Sequence, residues 1–252
     1  MTFRTPSLTA LAAAALLAAA AAPAHAALVR NWLFNETGTT TNAVDSTGNQ
    51  NGTLTWFNFD ETSGWENGAL RFDGASDAVA VGENTLGSKY TITAWISADA
   101  FTAPDGQNVI FSQGGYPSYP TGRMTFMVDS SGKLASWEGG GTGTTSGTTT
   151  LATSQWYFVA LSNSNKSAVG YLNGNVEFNK TFTYDPPSAP NTIGNFSNEL
   201  YDKGNFKGLM KDVRIYDTAL TQAEIQAVMV PEPAALGLLA LGGLALLRRR
   251  RA

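Results

Sequence analysis

The sequence predicts an all-β body, a two-sheet antiparallel sandwich, between an N-terminal export signal and an apolar C-terminal tail. Short runs of β-branched and aromatic residues alternate with turns of Gly, Asn, Asp, Ser and Thr, and no long segment of helical period interrupts them. In the runs 90–97 and 156–161, apolar residues fall on both alternating faces. Strands buried on both faces are expected at the centre of two packed sheets rather than at an edge.

Residues 1–26 predict a signal peptide. Arg4 gives a positive start, Leu8 to Ala22 form an Ala/Leu run, and Ala24-His25-Ala26 is a cleavage site for signal peptidase. We expect cleavage after Ala26 and export of the body, residues 27–229. A single domain is expected for a body of about 200 residues.

Composition limits the chemistry of the exported body. Its eleven basic and nineteen acidic residues give a net charge near −8, and the basic residues are dispersed, so nucleic acid is not expected as a partner. The chain has no cysteine, and its one histidine, His25, lies in the signal peptide. This composition excludes a Ser-His-Asp triad, a cysteine nucleophile and an ordinary zinc site from the body.

The turn chemistry and the hydrophobic pattern predict thirteen strands and one helix in the body. The strands are expected at Leu28–Phe34, Thr53–Phe57, Ala69–Phe72, Ala78–Val81, Tyr90–Ser97, Asn108–Ser112, Met124–Asp129, Leu134–Trp137, Trp156–Leu161, Ala168–Leu172, Asn175–Lys180, Thr192–Ile193 and Leu209–Tyr216. Asn173-Gly174 predicts a type I′ hairpin turn. The Gly/Thr/Ser stretch from Gly139 to Thr150 is expected to be a mobile loop. A capping box predicts the helix at about Gln222 to Met229.

The C-terminal residues 230–252 form a separate unit. Val230-Pro231-Glu232-Pro233 leads into fourteen apolar residues, 234–247, and then into four arginines. A helix over 234–247 would be roughly 21 Å long, which is short for a hydrocarbon core of about 30 Å. Basic residues beside an apolar helix stay on the cytoplasmic side of a membrane.

The order and spacing of this tail resemble the PEP-CTERM sorting signal of Gram-negative bacteria. The resemblance implies transient tethering at the inner membrane, recognition by an exosortase, and removal of the tail before delivery to the cell surface or the extracellular matrix. A plain tail anchor is the alternative. The processing residues of both ends are then Ala24, Ala26, Pro231, Glu232, Pro233, Arg248, Arg249, Arg250 and Arg251.

The body resembles the laminin-G-like jelly rolls of the concanavalin A-like lectin/glucanase superfamily over about residues 28–228. The resemblance rests on WLFNETGTTTNAVDSTGNQNGTL, ALRFDGASDAVAV, YTITAWISADAF, WYFVALSNSNKSAVGYLNGNVE and FKGLMKDVRIYDTALTQAEIQAV, in this order. It implies a jelly-roll sandwich with adjacent N- and C-terminal strands. It does not imply an activity, since lectins, adhesion modules and glycosidases share this fold.

Two kinds of binding site are candidates. Loop aromatics can present ring faces to sugars, and the candidates are Trp65, Tyr116, Tyr119 and Tyr201; Trp137 is expected instead to cap the core. Calcium takes six to eight oxygens from carboxylates, amides and carbonyls. Related jelly rolls hold calcium at the sandwich edge, and the candidate ligands for a structural calcium are Asp45, Asn49, Asp73, Asp77 and Asp212. The alternative is that these side chains shape turns and that Asp212 pairs with Arg214 or Lys211.

A non-enzymatic binding or adhesion module is the function that these features favour, with polysaccharide or exopolysaccharide as its ligand. The acidic cluster of Asp60, Glu61 and Glu66 lacks the E-x-D-x-E-like run of the glucanase branch and is expected to be a solvated loop. A glycoside hydrolase-like enzyme and a structural matrix protein without a discrete ligand are the alternatives.

Overall fold

The computed structural model describes residues 26–83, 86–114, 122–185, 188–196 and 204–229. They form sixteen strands and one helix, which confirms the all-β class. The elements are β1 (Leu28–Trp32), β2 (Asn42–Ala43), β3 (Gly52–Thr55), β4 (Gly64–Glu66), β5 (Ala69–Asp73), β6 (Ala78–Glu83), β7 (Lys89–Ala100), β8 (Gln107–Gln113), β9 (Met124–Asp129), β10 (Lys133–Glu138), β11 (Gly143–Thr150), β12 (Tyr157–Ser164), β13 (Ser167–Leu172), β14 (Asn175–Thr181), β15 (Pro190–Ile193), β16 (Lys207–Tyr216) and α1 (Gln222–Met229).

The strands form two antiparallel sheets. Sheet A has the order β14-β13-β12-β7-β16-β5-β4, and β1 also pairs with β16. Sheet B has the order β11-β10-β9-β8-β15-β6-β3-β2. The first and last strands are therefore neighbours, and most strands pair with non-consecutive partners. This arrangement confirms the jelly-roll sandwich that the sequence led us to expect.

Alternation along each strand sends one set of side chains into the core between the sheets. Ile92 and Ile96 of β7 and Val159 of β12 point inward from sheet A, and Phe126 and Val128 of β9 point inward from sheet B. All five are essentially inaccessible to solvent. At roughly 1.5–3 kcal/mol for each buried side chain of this size, the inner faces supply the main stabilisation of the fold.

A second apolar cluster on the outer face of sheet A explains why its central strands are buried on both sides. Helix α1 brings Ile225, and the residue before its cap brings Leu220, onto Phe158 and Tyr171. Ala26 packs against the same cluster. Both ends of the body therefore lie on the outer face of sheet A.

The start of α1 has the predicted capping box. The amide of Thr221 donates to the carboxylate of Glu224 at 2.8 Å, and the amide of Glu224 points back to the Thr221 hydroxyl at 3.4 Å. The predicted hairpin between β13 and β14 is also present. Asn173 and Gly174 have φ values of 49° and 76°, as a type I′ turn requires.

The prediction of a mobile loop at 139–150 is wrong, because residues 143–150 form β11 at the edge of sheet B. Its inner edge pairs with β10. Side chains of β14 from the other sheet satisfy its outer edge: Glu177 accepts from the amides of Thr148 and Thr149, and Lys180 donates to the carbonyl of Gly143. Contacts from a distant strand, rather than its own composition, thus hold this segment in a sheet.

The tail lies outside the described residues, as do the predicted apolar helix 234–247 and the processing residues other than Ala26. In the described part of the chain, no helix has both the length and the apolar character needed to cross a membrane.

Candidate functional site

The outer face of sheet B carries the cluster of side chains best suited to bind a ligand. Met124, Phe126 and Val128 of β9 point into the core, so Thr125 and Arg123, the residue before β9, point outward. Trp137 of β10 lies opposite Thr125 in the sheet and shares this outer face, and Phe196 follows β15. We call Arg123, Trp137 and Phe196 the Arg123 cluster.

The guanidinium of Arg123 lies over both rings of the cluster. Its Cζ atom is 4.5 Å from the centroid of the Trp137 ring and 4.8 Å from that of Phe196. Backbone pairing holds the arginine in place, since the amide of Gly139 donates to the Arg123 carbonyl at 2.9 Å. Both contacts lie within the range in which the negative face of a ring attracts a cation.

Phe196 is held from two sides. Its backbone amide donates to the side-chain oxygen of Asn195 at 2.7 Å. Gly204 packs against its ring so closely that an added Cβ atom would lie 2.5 Å from the ring. The position of Phe196 beside Arg123 is therefore built into the local backbone.

Among the described residues of this face, Nε of Arg123 and Oγ1 of Thr125 are buried without a hydrogen-bond partner. None of the ion pairs among the described residues includes Arg123. Burial lowers the pKa of the Arg123 guanidinium, and the charge of Asp105 acts in the opposite direction. A buried donor without a partner is costly, so this face holds unused hydrogen-bonding capacity.

The predicted sugar-binding aromatics are not brought together by the described residues. Trp65 of β4 packs against the core, 6.2 Å from the ring of Phe34, and its indole N–H donates to the carbonyl of Thr40. Tyr116, Tyr119 and Tyr201 lie outside the described residues, and their role stays a prediction. Trp137 belongs to the outward-facing Arg123 cluster rather than to the core, contrary to our expectation.

Asp45 and Asn49 lie in one loop, where Asp45 shapes the turn. Its carboxylate accepts from the amides of Asn31, Thr47 and Gln50. Burial raises the pKa of Asp45, but these hydrogen bonds outweigh it and hold the pKa below its ordinary value. Asn49 directs its amide nitrogen to the carbonyl of Val29.

Asp73 and Asp77 lie together at the turn between β5 and β6. Asp77 accepts from the amide of Asp73 at 2.9 Å, and its Oδ1 atom is buried without a partner. Asp73 caps the turn by accepting from the amides of Ala75 and Ser76. Burial raises the pKa of Asp77 to about 7, and the charge of Asp73 adds to this effect.

Asp212 lies apart from the other candidate calcium ligands. It occupies an irregular point of β16 with a φ of 52°, and both its carboxylate oxygens accept from the guanidinium of Arg214 at 2.7 Å. The five candidates therefore form two separate pairs and a single residue. No group of three or more acidic or histidine side chains able to hold a metal ion occurs among the described residues. A bound calcium stays a prediction.

Three further acidic residues, Asp60, Glu66 and Glu138, hold structure. Asp60 caps its own loop through Thr62 and Ser63, and Glu66 pairs with Arg71, which also binds Asp99 at 2.6 Å. Glu138 is 2% exposed and accepts the amides of Thr142, Thr183 and Tyr184. Burial raises the pKa of Glu138, but these hydrogen bonds outweigh it and lower the pKa.

Two family models match the chain. The model described as the concanavalin A-like lectin/glucanases superfamily matches residues 73–226, and the model described as the PEP-CTERM protein-sorting motif matches residues 230–251. A search of curated proteins gave no match.

Solved structures share the fold. Domain 4 of AbnA, an extracellular GH43 arabinanase from Geobacillus stearothermophilus, in complex with arabinotriose, is 23% identical with a TM-score of 0.62, over 80% of this chain and 98% of that domain. A Trypanosoma rangeli sialidase mutant displaying trans-sialidase activity is 14% identical with a TM-score of 0.62, over 79% of this chain and 32% of the sialidase. The chain thus spans about a third of the sialidase, and at these identities the likeness shows the fold alone.

Proposed function

Because the chain belongs to the concanavalin A-like lectin/glucanases superfamily and carries a PEP-CTERM sorting motif, we propose that it is an exported, non-catalytic carbohydrate-binding module. The motif directs export and sorting to the cell surface. In this proposal an exosortase removes the tail after it has tethered the protein briefly to the inner membrane. The body is then delivered to the surface or to the extracellular polymer matrix.

The observation that carries the binding proposal is the Arg123 cluster on the outer face of sheet B. It combines an arginine and two aromatic rings with polar atoms that lack a partner, and a site with an apolar lining and a few convergent polar groups is suited to bind a sugar. The neighbouring strand β11 adds the exposed hydroxyls of Thr144 and Ser146 on the same face. The arabinanase domain of similar fold is in complex with a trisaccharide, which supports a sugar ligand.

The state of the carboxylates supports a non-catalytic role. A glycosidase needs two carboxylates about 5–10 Å apart and free to reach the substrate. On the outer face of sheet B, Asp129 accepts from the amides of Ser131 and Lys133 and from the hydroxyl of Ser146. Glu138 of β10 is buried and holds backbone amides.

A glycan array tests the proposal. The full-length protein, its Trp137→Ala variant and its Trp156→Ala variant are compared, with calcium and with a chelator. Trp156 is the matched control, because it lies under Lys211 of sheet A rather than on sheet B. We expect the wild type and Trp156→Ala to bind the same glycans and Trp137→Ala to lose at least about tenfold in affinity.

Three outcomes would contradict parts of the proposal. Equal binding by all three proteins would show that the binding site does not include Trp137 on the outer face of sheet B. No binding to any glycan would favour a structural matrix protein without a discrete ligand. Shortening of a bound oligosaccharide during incubation, measured by mass spectrometry, would favour the glycoside hydrolase-like enzyme.

A further inference from the structure

We propose that the Arg123 cluster recognises a carboxylate of an acidic sugar, such as a uronic acid within a polysaccharide. The inference rests on the proposed function and names the chemical class of its ligand. The juxtaposition that carries it is a guanidinium held over two aromatic rings, with its Nε–H and the neighbouring Thr125 hydroxyl both unused.

The occupied ring faces favour a charged ligand over a neutral one. Neutral sugars bind aromatic residues by laying their C–H groups on a free ring face. Here the guanidinium already covers a face of Trp137 and a face of Phe196. The rings therefore orient a cation, and the ligand meets the edge of the guanidinium, where its N–H groups lie.

The guanidinium has no charge partner in the described part of the chain. Two other arginines of the body are paired, Arg71 with Glu66 and Asp99, and Arg214 with Asp212. Arg123 forms no such pair among the described residues, and the charge of Asp105 raises its pKa. A planar guanidinium binds a carboxylate through two parallel hydrogen bonds, and the Nε–H of Arg123 has no partner in the part of the chain that the structure describes.

Thr125 supplies the second donor. It is fully buried, it is two residues from Arg123 on the same face of β9, and its hydroxyl lacks a partner. A buried hydroxyl without a partner destabilises a fold, so its place beside an unpaired arginine points to a ligand that accepts from both. A carboxylate has two acceptor oxygens and meets this requirement.

Matched oligosaccharides test the inference with the full-length protein. An oligogalacturonate is compared by calorimetry with its methyl ester, which keeps the sugar and removes the charge. We expect the free acid to bind at least about tenfold more tightly than the ester. Sulfated dextran against plain dextran tests whether a sulfate replaces the carboxylate.

Four variants locate the effect. Arg123→Gln should lose at least about tenfold in affinity for the acid, and Arg123→Lys, which keeps the charge but not the planar fork, should lose less. Lys211→Gln is the matched control: it removes a cation that lies 4.4 Å from the Trp156 ring on sheet A, and it should leave affinity unchanged. Thr125→Val should weaken binding of the acid without weakening the fold.

The outcomes separate this inference from the proposed function. If ester and acid bind equally, or if Arg123→Gln binds the acid as the wild type does while folded, acidic recognition is wrong and sugar binding stands. If sulfated dextran binds and the oligogalacturonate does not, the proposal that the site recognises a carboxylate is wrong. If neither these probes nor any neutral glycan binds, the proposed function itself fails.

Discussion

The guanidinium carbon of Arg123 lies 4.5 Å from the centre of the Trp137 ring, on the face of sheet B that points away from the core. Phe196 contacts the same guanidinium from a segment that follows β15. A cation so placed keeps its hydrogen-bonding edge for a ligand while its flat face is shielded from water. This relationship is the physical basis of the binding site that we propose.

Thr125→Val is expected to stabilise the protein. The substitution removes a buried hydroxyl without a partner and keeps the shape of the side chain, so the free energy of unfolding should rise by about 1 kcal/mol. Denaturant unfolding of the two proteins measures the change. Thr93→Val, at a buried hydroxyl on sheet A that also lacks a partner, is a control that should stabilise the fold without affecting sugar binding. A loss of stability in Thr125→Val would show that the hydroxyl has a partner within the protein.

Asp77 is expected to make the protein less stable as the pH rises from 5 to 8. Its pKa is about 7 in the folded state against 3.8 as its ordinary value, so the folded state favours the protonated form. The stability linked to that proton is fully present below pH 3.8 and is lost as the pH rises through 7. The loss amounts to roughly 4 kcal/mol in total, of which about 3 kcal/mol falls between pH 5 and pH 8.

Asp77→Asn tests this effect, because asparagine imitates the protonated carboxyl. The exported body contains no histidine or cysteine that titrates in the same range, so the comparison is clean. We expect the variant to keep a nearly constant melting temperature from pH 5 to pH 8 and to exceed the wild type at pH 8. Parallel curves for the two proteins would show that Asp77 is ionised in the folded state at neutral pH.

Glu138→Gln is expected to destabilise the protein by about 3 kcal/mol at pH 7. Glutamine keeps one acceptor oxygen where the buried carboxylate has two, so it cannot accept the N–H groups of Thr142, Thr183 and Tyr184 together. Because the folded-state pKa of Glu138 is lowered, its contribution is present above its ordinary value of 4.5 and is lost as the pH falls through the folded-state pKa. The difference between variant and wild type, followed by chemical unfolding, should therefore shrink in acid. A difference that is constant with pH would contradict this explanation.

Glu177→Ala is expected to make the protein associate. Glu177 accepts the amides of Thr148 and Thr149 along the outer edge of β11, and its removal leaves that edge open to pair with another chain. Light scattering at rising protein concentration measures the effect. Glu61→Ala, which removes the same charge from an exposed loop, is the control and should stay monodisperse. Equal association of the two variants would show that the lost charge, rather than the open edge of β11, causes the association.

The sequence predicted the sheets well because alternation and turn residues are local signals. The positive φ of Asn173 and Gly174 and the capping pair of Thr221 and Glu224 follow from neighbours in the chain. Strand β11 was missed because its Gly/Thr composition resembles a flexible linker. What orders it is Glu177 and Lys180 on β14, a contact that no local pattern reveals.

The candidate site could be predicted only in part for the same reason. Alternation along β9 and β10 would have placed Thr125 and Trp137 outward, but it does not show that Phe196 meets Arg123. The aspartates were ambiguous because the same residue types bind calcium and cap turns. Asp45 and Asp73 prove to cap turns, while the buried position of Asp77 depends on packing between distant segments.

The most direct measurement is chemical-shift mapping by NMR as an oligogalacturonate is added to the labelled protein. We predict that the signals of the Arg123 Nε–H, the Trp137 indole N–H and the Thr125 amide shift in a saturable way, while that of the Trp156 indole N–H on sheet A does not. Shifts confined to residues around Trp156 and Lys211 would place the binding surface on sheet A and contradict the proposed site on sheet B.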